Sequence, residues 1–394
     1  MNEQPPENSS MFKQPKAVWA VAFACVISFM GIGLVDPILP AIARQLHASP
    51  SQVSLLFTSY LLVTGFAMLL SVAVSSRIGA KLTLISGLIL IIVFAGLGGL
   101  SHSISQLVGF RGGWGLGNAM FISTALAVIV SVASGGSAKA IILYEAALGL
   151  GISVGPLAGG ELGTISWRAP FFGVSVLMAA ALLAIFFLLP PVQKPRKKIS
   201  VSAPIKALRY KGLLTLSGAA FLYNFGFFTL LAYSPFVLDL NERGLGYVFF
   251  GWGLFLAITS VFIAPAVQRI FGTVRSLIFL FMLFAADLLA IGIWTEHMAL
   301  VIGAIIIAGG ILGMINTILT TAVMEAAPVE RSVASSAYSS IRFIGGAIAP
   351  WIAGVLADHF TAHTPYFAGC IAVLAGMAVL TGGRRYLAGI KAGH

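Results

Sequence analysis

An acidic side chain in the first apolar stretch is the group best suited to chemistry in this sequence. Asp36 lies within residues 31–40, among glycines, prolines and aliphatic side chains. A carboxylate that faces lipid costs about 2.5–3.5 kcal/mol, so Asp36 should face a cavity or a partner. An apolar environment favours the protonated form of an acid, and such a group can accept a proton on one side of a membrane and release it on the other. The alternative is a carboxylate that lies near the outer interface or fixes a helix contact.

A fixed positive charge lies in the fourth apolar stretch. Arg111 opens the glycine-rich segment 111–117. Arginine keeps its proton, so inside a membrane it needs an anionic or carbonyl partner. Asp36 is the most economical partner that the sequence offers, and backbone carbonyls at a helix end are the alternative.

Glycines recur at every fourth position in the fifth apolar stretch. Gly151, Gly155 and Gly159 share one helix face, and Pro156 and Gly160 stand beside them. A face without side chains lets a neighbouring helix approach closely, as small-residue faces do in lipid. Pro156 donates no backbone N–H and weakens the helix locally. The pattern indicates a tightly packed, bent helix, and a glycine-rich helix of any membrane bundle would look similar.

The seventh apolar stretch mixes aromatic and polar side chains. Such a mixture suits lipophilic ligands, although a packed membrane helix can have the same composition. The candidates for substrate contact are Tyr223, Asn224, Phe227 and Tyr233.

Other charges in apolar stretches have open roles. Asp287 in the ninth and Arg342 in the eleventh could pair with each other or with water. Glu145 in the fifth is expected to neutralise a nearby base: Arg77, Lys81 or Lys139.

The composition excludes a soluble protein. The 394 residues are 59% hydrophobic and 9% charged, with a mean hydropathy of +1.00, whereas soluble domains carry about 25% charged residues. The two cysteines indicate neither a disulfide framework nor a metal site. The sequence has no P-loop, no His/Cys/Glu cluster with metal spacing and no convincing nucleophile–base arrangement. We therefore expect no enzyme activity, no cofactor and no bound metal.

The apolar stretches predict an all-α integral membrane protein with twelve spans, because one span needs about 20 mostly apolar residues. Their predicted bounds are 17–40, 52–75, 82–101, 105–133, 138–163, 169–190, 213–238, 246–268, 274–294, 298–324, 333–357 and 365–383. The corresponding organisation is an N-terminal tail 1–16, a first half 17–190, a linker 191–212, a second half 213–383 and a C-terminal tail 384–394.

Basic residues are distributed unevenly about these spans. With both termini in the cytoplasm, 18 of the 23 Lys and Arg lie on the cytoplasmic side. This bias follows the positive-inside rule and explains the net charge of +11 without a nucleic-acid partner. The expected location is the inner or plasma membrane, with the lipid bilayer as partner and a monomer as the expected state.

The two halves of the chain are related in sequence. Gly151, Pro156 and Gly160 recur 194 positions later as Gly345, Pro350 and Gly354. Other matches have nearly the same offset: Pro40 with Pro235, Arg77 with Arg269, and Gly79 with Gly272. A nearly constant offset predicts two six-helix repeats, an arrangement that transporters use around a midplane site.

These motifs resemble those of the major facilitator superfamily, specifically its twelve-helix drug:proton antiporter branch. Gly151–Gly160 is similar to the fifth-helix antiporter signature G-x-x-x-G-P-x-x-G-G. Other similarities are the first-helix P-x-x-P at 37–40, the fourth-helix R-x-x-x-G-x-G at 111–117, with Trp114 where glutamine is usual, and the sixth-helix W-R-x-x-F at 167–171. The resemblance covers nearly the whole chain.

The loop after the second span departs from the family pattern G-x-x-x-D-R-x-G-R-[RK]. Arg77, Gly79 and Lys81 fit, but the first glycine, the acid and one arginine are missing, and Ser76 stands at the acidic position. The charge-based latch that the resemblance implies lacks its acid here, so the antiporter assignment depends on the fifth helix.

The resemblance implies a secondary transporter that exports lipophilic or amphipathic compounds in exchange for protons. It implies Asp36 as proton carrier, Arg111 as its electrostatic partner and residues 151–160 as the packing hinge between the halves. The alternatives are an exporter of one defined metabolite, such as a sugar or amino-acid derivative, and a non-transporting membrane receptor.

Overall fold

A computed structural model describes residues 14–134, 137–191 and 198–387. The predicted tails lie mostly outside these residues, as do part of the linker and the side chain of Glu145. The regular structure of the described residues is helical. The twelve long helices are α1 Lys16–Gln45, α2 Pro50–Ile78, α3 Ala80–Leu100, α4 Ile104–Val132, α5 Ser137–Gly163, α6 Ala169–Leu188, α7 Lys211–Val237, α8 Glu242–Phe271, α9 Thr273–Ile293, α10 Met298–Glu325, α11 Arg331–His359 and α12 Thr364–Gly382.

Eleven of these helices are, within the described residues, long and apolar enough to cross a membrane. The remaining one, α5, has 27 residues, some with side chains outside the described part. The prediction of an all-α membrane protein is confirmed. Helices are required because a backbone in lipid must satisfy its own hydrogen bonds.

Helix α1 is interrupted where the sequence predicted a continuous helix. It consists of an α-helix Lys16–Gly33, a 3₁₀ turn Asp36–Ile38 and a short α-helix Leu39–Gln45. Pro37 and Pro40 lack the N–H that would continue the ladder, and each occupies the start of the following segment. Asp36 therefore lies at a break in the helix rather than in its middle.

The helices pack as two sets with the same internal arrangement. In the first set α1 contacts α5 and α6, α2 contacts α4, and α3 contacts α4 and α6. The same pairs occur in the second set, where α7 contacts α11 and α12, α8 contacts α10, and α9 contacts α10 and α12. Gly79 and Gly272 also have matching left-handed φ angles of 96° and 79°. This packing fits the predicted six-helix repeat.

The two halves meet mainly along two helix pairs, α2 with α11 and α5 with α8. The two ion pairs found among the described residues both join the halves. Arg44 is 2.9 Å from Glu242, and Arg243 is 3.0 Å from Glu161. Six helices separate the start of α1 from the linker, so these two segments lie on the same face of the bundle. Arg44 and Glu161 lie near the ends of α1 and α5, and Glu242 and Arg243 lie at the start of α8, so all four residues lie on the opposite face. The halves are thus held together on that face.

Candidate substrate and proton site

The Asp36 side chain is fully buried, and neither carboxyl oxygen has a hydrogen-bond partner. Its turn, Asp36–Ile38, packs against α5 of its own half and against α7 and α8 of the other half. A Cβ added at Gly33 would lie 3.5 Å from Asp36 Oδ2 and 3.1 Å from Pro156 Cδ. The carboxyl group is therefore enclosed where the antiporter-like stretch of α5 meets α1, at the junction between the halves.

Arg111 is also buried, in the centre of the first half. Its guanidinium lies over two aromatic rings, 4.4 Å from the Tyr60 centroid and 4.5 Å from the Trp114 centroid. Nη1 donates to the Gly31 carbonyl oxygen at 3.2 Å. Cation–π contacts and a carbonyl oxygen thus stabilise the charge of Arg111.

Arg111 and Asp36 do not form an ion pair, since both ion pairs of the described residues lie elsewhere. The two residues approach the same short segment of α1, since Arg111 binds Gly31 and Asp36 lies beside Gly33. The structure therefore has the carbonyl partner that was the alternative for Arg111, with the carboxylate nearby but not in contact.

A polar chain next to Arg111 was missed in the sequence. Asn118 Nδ2 donates to the Tyr60 hydroxyl, whose ring lies beneath Arg111, and Ser28 Oγ donates to Asn118 Oδ1. These residues come from α1, α2 and α4 and are buried. The sequence could have indicated this chain, because Arg111 and Asn118 are about two turns apart and therefore lie on the same face of α4.

The glycine face of α5 packs against the α1 backbone. A Cβ at Gly151 would lie 2.4 Å from the Val26 carbonyl oxygen, and one at Gly155 would lie 2.6 Å from that of Met30. At Gly159 the corresponding distance, to Leu34 O, is 2.1 Å. Any side chain at these three positions would force the helices apart.

The expectation that this stretch packs between the halves holds for only part of it. Gly151, Gly155 and Gly159 pack inside the first half, whereas Gly160 faces α8, where an added Cβ would lie 2.9 Å from Gly246 Cα. The reason is rotation: positions 159 and 160 are about 100° apart on a helix and meet different neighbours. A hinge function of the stretch stays a prediction.

The degenerate loop motif lies at the α2–α3 turn. Arg77 lies in the last turn of α2, and Gly79 has the left-handed φ that favours glycine. Lys81 Nζ donates to the carbonyl oxygens of Phe186 and Leu189 at the end of α6. Ser76 Oγ accepts the Ile199 N–H from the linker. The motif thus joins α2, α6 and the linker through neutral acceptors instead of an acid.

The four residues of α7 that the sequence suggested for substrate contact have different surroundings in the structure. The Tyr223 hydroxyl is 3.5 Å from Asn316 Oδ1, and Asn224 is buried with no partner for Nδ2. Tyr233 packs against Tyr366 of α12, with ring centroids 5.5 Å apart and the ring planes tilted by 58°. It is therefore a packing residue inside the second half.

Phe227 belongs to an aromatic row that crosses between the halves. Its ring is 5.6 Å from Trp252 of α8 and 4.8 Å from Phe228, and Phe228 is 6.3 Å from Phe57 of α2. Phe57, Phe228 and Trp252 are buried, and Phe227 is the half-buried ring of this row at the junction.

Arg342 and Asp287 are not paired. Arg342 Nη1 donates to Asn316 Oδ1, and Asp287 Oδ2 is buried without a hydrogen-bond partner. The expected pairing of Glu145 lies outside the described residues.

Comparison with known proteins gives one family. The model of the Major Facilitator Superfamily matches residues 21–350 and again 216–386. The chain is 75% identical over 388 residues, 98% of both chains, to the multidrug efflux protein YfmO of Bacillus subtilis strain 168. It is 25% identical to the quinolone resistance protein NorA of Staphylococcus aureus strain MRSA252, over 95% of this chain and 98% of that one.

Solved structures share the fold. The human organic anion transporter MFSD10 matches with a TM-score of 0.73 at 18% identity, covering 96% of this chain and 100% of that chain. A D-xylose-proton symporter matches with a TM-score of 0.76 at 15% identity, covering 92% and 96%.

Proposed function

The chain belongs to the major facilitator superfamily, and on that premise we propose that it exports lipophilic and amphipathic compounds in exchange for protons. It is a multi-pass membrane protein and a multidrug efflux transporter, not an enzyme. To this established function our proposal adds three features: proton coupling, the lipophilic or amphipathic character of the exported compounds, and a rocking movement of the two six-helix halves.

The burial of Asp36 is the observation that carries the proton coupling. Its turn is covered by α7 and α8 of the opposite half. Separation of the halves on this face would remove that cover and bring the carboxyl group into contact with water. Access of protons to Asp36 is thereby linked to the same movement that would open the face to a substrate.

The fixed charge of Arg111 gives the two protonation states different energies. A deprotonated Asp36 compensates the buried guanidinium through space, whereas a protonated Asp36 leaves it to Tyr60, Trp114 and Gly31. Proton binding therefore changes the electrostatic balance at the junction, where the two ion pairs also hold the halves together. Such a change can favour one arrangement of the halves over the other.

We place both termini and the linker in the cytoplasm, with 18 of 23 basic residues on that side. Arg44, Glu161, Glu242 and Arg243 then lie outside. In this orientation, the face on which the two ion pairs join the halves is the external one.

The test is transport of ethidium, a lipophilic cation, into proteoliposomes with an acidic interior. Asp36→Asn preserves shape and removes the titratable group. Wild-type protein should accumulate ethidium against its gradient, and Asp36→Asn should lose this accumulation while still permitting downhill movement. Asp36→Glu should retain part of the activity.

Asp358→Asn is the matched control, because Asp358 is exposed at the end of α11. It should transport like the wild type at equal protein levels. Continued uphill transport by Asp36→Asn would show that the proton is carried elsewhere, with Asp287 as the next candidate.

A further inference from the structure

A second cation, which is half-buried, lies in the other half, outside the proton site. Arg342 is in the middle of α11, and its guanidinium is 5.5 Å from the Tyr338 centroid and 5.1 Å from the Phe343 centroid. Its hydrogen-bond partner, Asn316 Oδ1 on α10, is neutral. No carboxylate of the described residues lies within 4 Å of it, since both ion pairs there involve other arginines. The charge has aromatic and amide neighbours but no counter-ion.

The surroundings of Arg342 are polar and partly accessible. Ser335, Ser339 and Arg342 follow one another on one face of α11 and are each half-buried. On α10 the half-buried residues between 316 and 321 are also polar: Asn316, Thr317, Thr320 and Thr321. Ser260 of α8 binds Thr317 across this surface, 2.7 Å between the two Oγ atoms.

This polar surface belongs to the interior of the protein. Helix α11 packs against α7 of its own half and α2 of the other. A stripe of Arg, Ser, Thr and Asn facing lipid would be costly. A half-buried, uncompensated arginine at this position is accessible to a ligand that enters between the halves.

An apolar surface begins one turn further along α11. A Cβ at Gly346 would lie 2.4 Å from the Phe228 ring, so this glycine makes room for the aromatic row Phe57, Phe228, Phe227 and Trp252. Arg342 and the glycine that contacts the aromatic row are therefore about one helical turn apart along α11, roughly 5 Å. The half-buried ring of that row is Phe227.

We propose that Arg342 binds the carboxylate of exported compounds whose aromatic part lies against Phe227, the half-buried ring of the aromatic row. The planar guanidinium fork matches a carboxylate with two parallel hydrogen bonds. Acidic and zwitterionic aromatic compounds would then form a preferred substrate class. The inference rests on the proposed export function and specifies its substrate.

The test compares 1-naphthylacetic acid with 1-naphthylacetamide, which have nearly the same shape and differ in charge. Calorimetric titration of the purified full-length protein should give about 10- to 100-fold tighter binding of the acid, as expected of a charge-assisted hydrogen bond. Arg342→Gln should reduce binding of the acid to the level of the amide. Arg342→Lys keeps the charge without the fork and should retain a smaller preference.

Arg275→Gln is the control, because Arg275 is exposed at the start of α9. It should keep the full preference for the acid. Equal binding of acid and amide by the wild type, or an unchanged preference in Arg342→Gln, would overturn the inference. Ethidium transport by the wild type separates the two proposals: its absence counts against the exporter, whereas normal ethidium transport without acid preference counts only against the Arg342 site.

Discussion

Single glycines decide how closely α1 and α5 approach. Gly155 faces the Met30 carbonyl oxygen, and no side chain can be added there without moving a helix backbone. The charged residues of the site depend on this contact, because Asp36 and the Arg111 acceptor Gly31 both belong to α1. The small residues thus hold the segment that carries the acid in place against α5.

We predict that Gly155→Ala destabilises the protein by about 1–3 kcal/mol, the usual cost of overpacking. The measurement is the apparent Tm of the purified protein in detergent. Gly109→Ala is the matched control, since a Cβ at Gly109 of α4 meets nothing within 4 Å. Both changes alter helix propensity equally, so the difference between them isolates the contact. An apparent Tm of Gly155→Ala equal to that of the control would mean that α1 and α5 can separate at no cost.

Among the helices, α2 and α11 form one of the two main contacts between the halves. Ser336 Oγ of α11 donates to the Met68 carbonyl oxygen of α2 at 2.6 Å, and Ser336 is buried. A hydrogen bond of this kind must break if the two helices slide or separate. It belongs to the contacts that stabilise the observed arrangement.

Ser336→Ala should lower stability by about 0.6 kcal/mol, the average for interhelical hydrogen bonds in membrane bundles. Ser217→Ala provides the comparison, because Ser217 is also buried but its hydroxyl has no hydrogen-bond partner. That control should be neutral or slightly stabilising. Thermal unfolding in detergent measures both, and equal effects would exclude a contribution from the bond to Met68.

At the scale of the whole molecule, the linker and the two ion pairs that join the halves lie at opposite ends of the helices. The proposed orientation places the linker in the cytoplasm, because 18 of the 23 basic residues then lie on that side. The ion pairs would then join the halves on the external side.

This orientation can be tested with single cysteines in a Cys25→Ala, Cys370→Ala background. Ser200→Cys in the linker should resist a membrane-impermeant maleimide in intact cells and react after lysis. Ala362→Cys, in the exposed loop between α11 and α12, should react in intact cells. The reverse labelling pattern would invert the topology.

The sequence by itself determined the helices and their repetition. The bilayer admits only a few backbone structures, so long apolar stretches indicate membrane helices before any packing is known. The nearly constant offset between halves, including Gly79 and Gly272, is a property of the sequence, and both glycines have left-handed φ angles. Asp36 and Arg111 were also recognisable, since a charge in an apolar stretch is exceptional wherever it points.

Only the tertiary structure decided which residues meet. Arg111 binds Gly31, 80 positions earlier, and Ser336 binds Met68, 268 positions earlier. Partners at such separations depend on the rotation and depth of each helix, and in apolar stretches nearly every face is hydrophobic, so periodicity does not reveal the rotation. For the same reason, the sequence did not predict that Gly159 faces α1 whereas Gly160 faces α8. It also did not predict that the hydrogen-bond partner of Arg342 is the neutral side chain of Asn316.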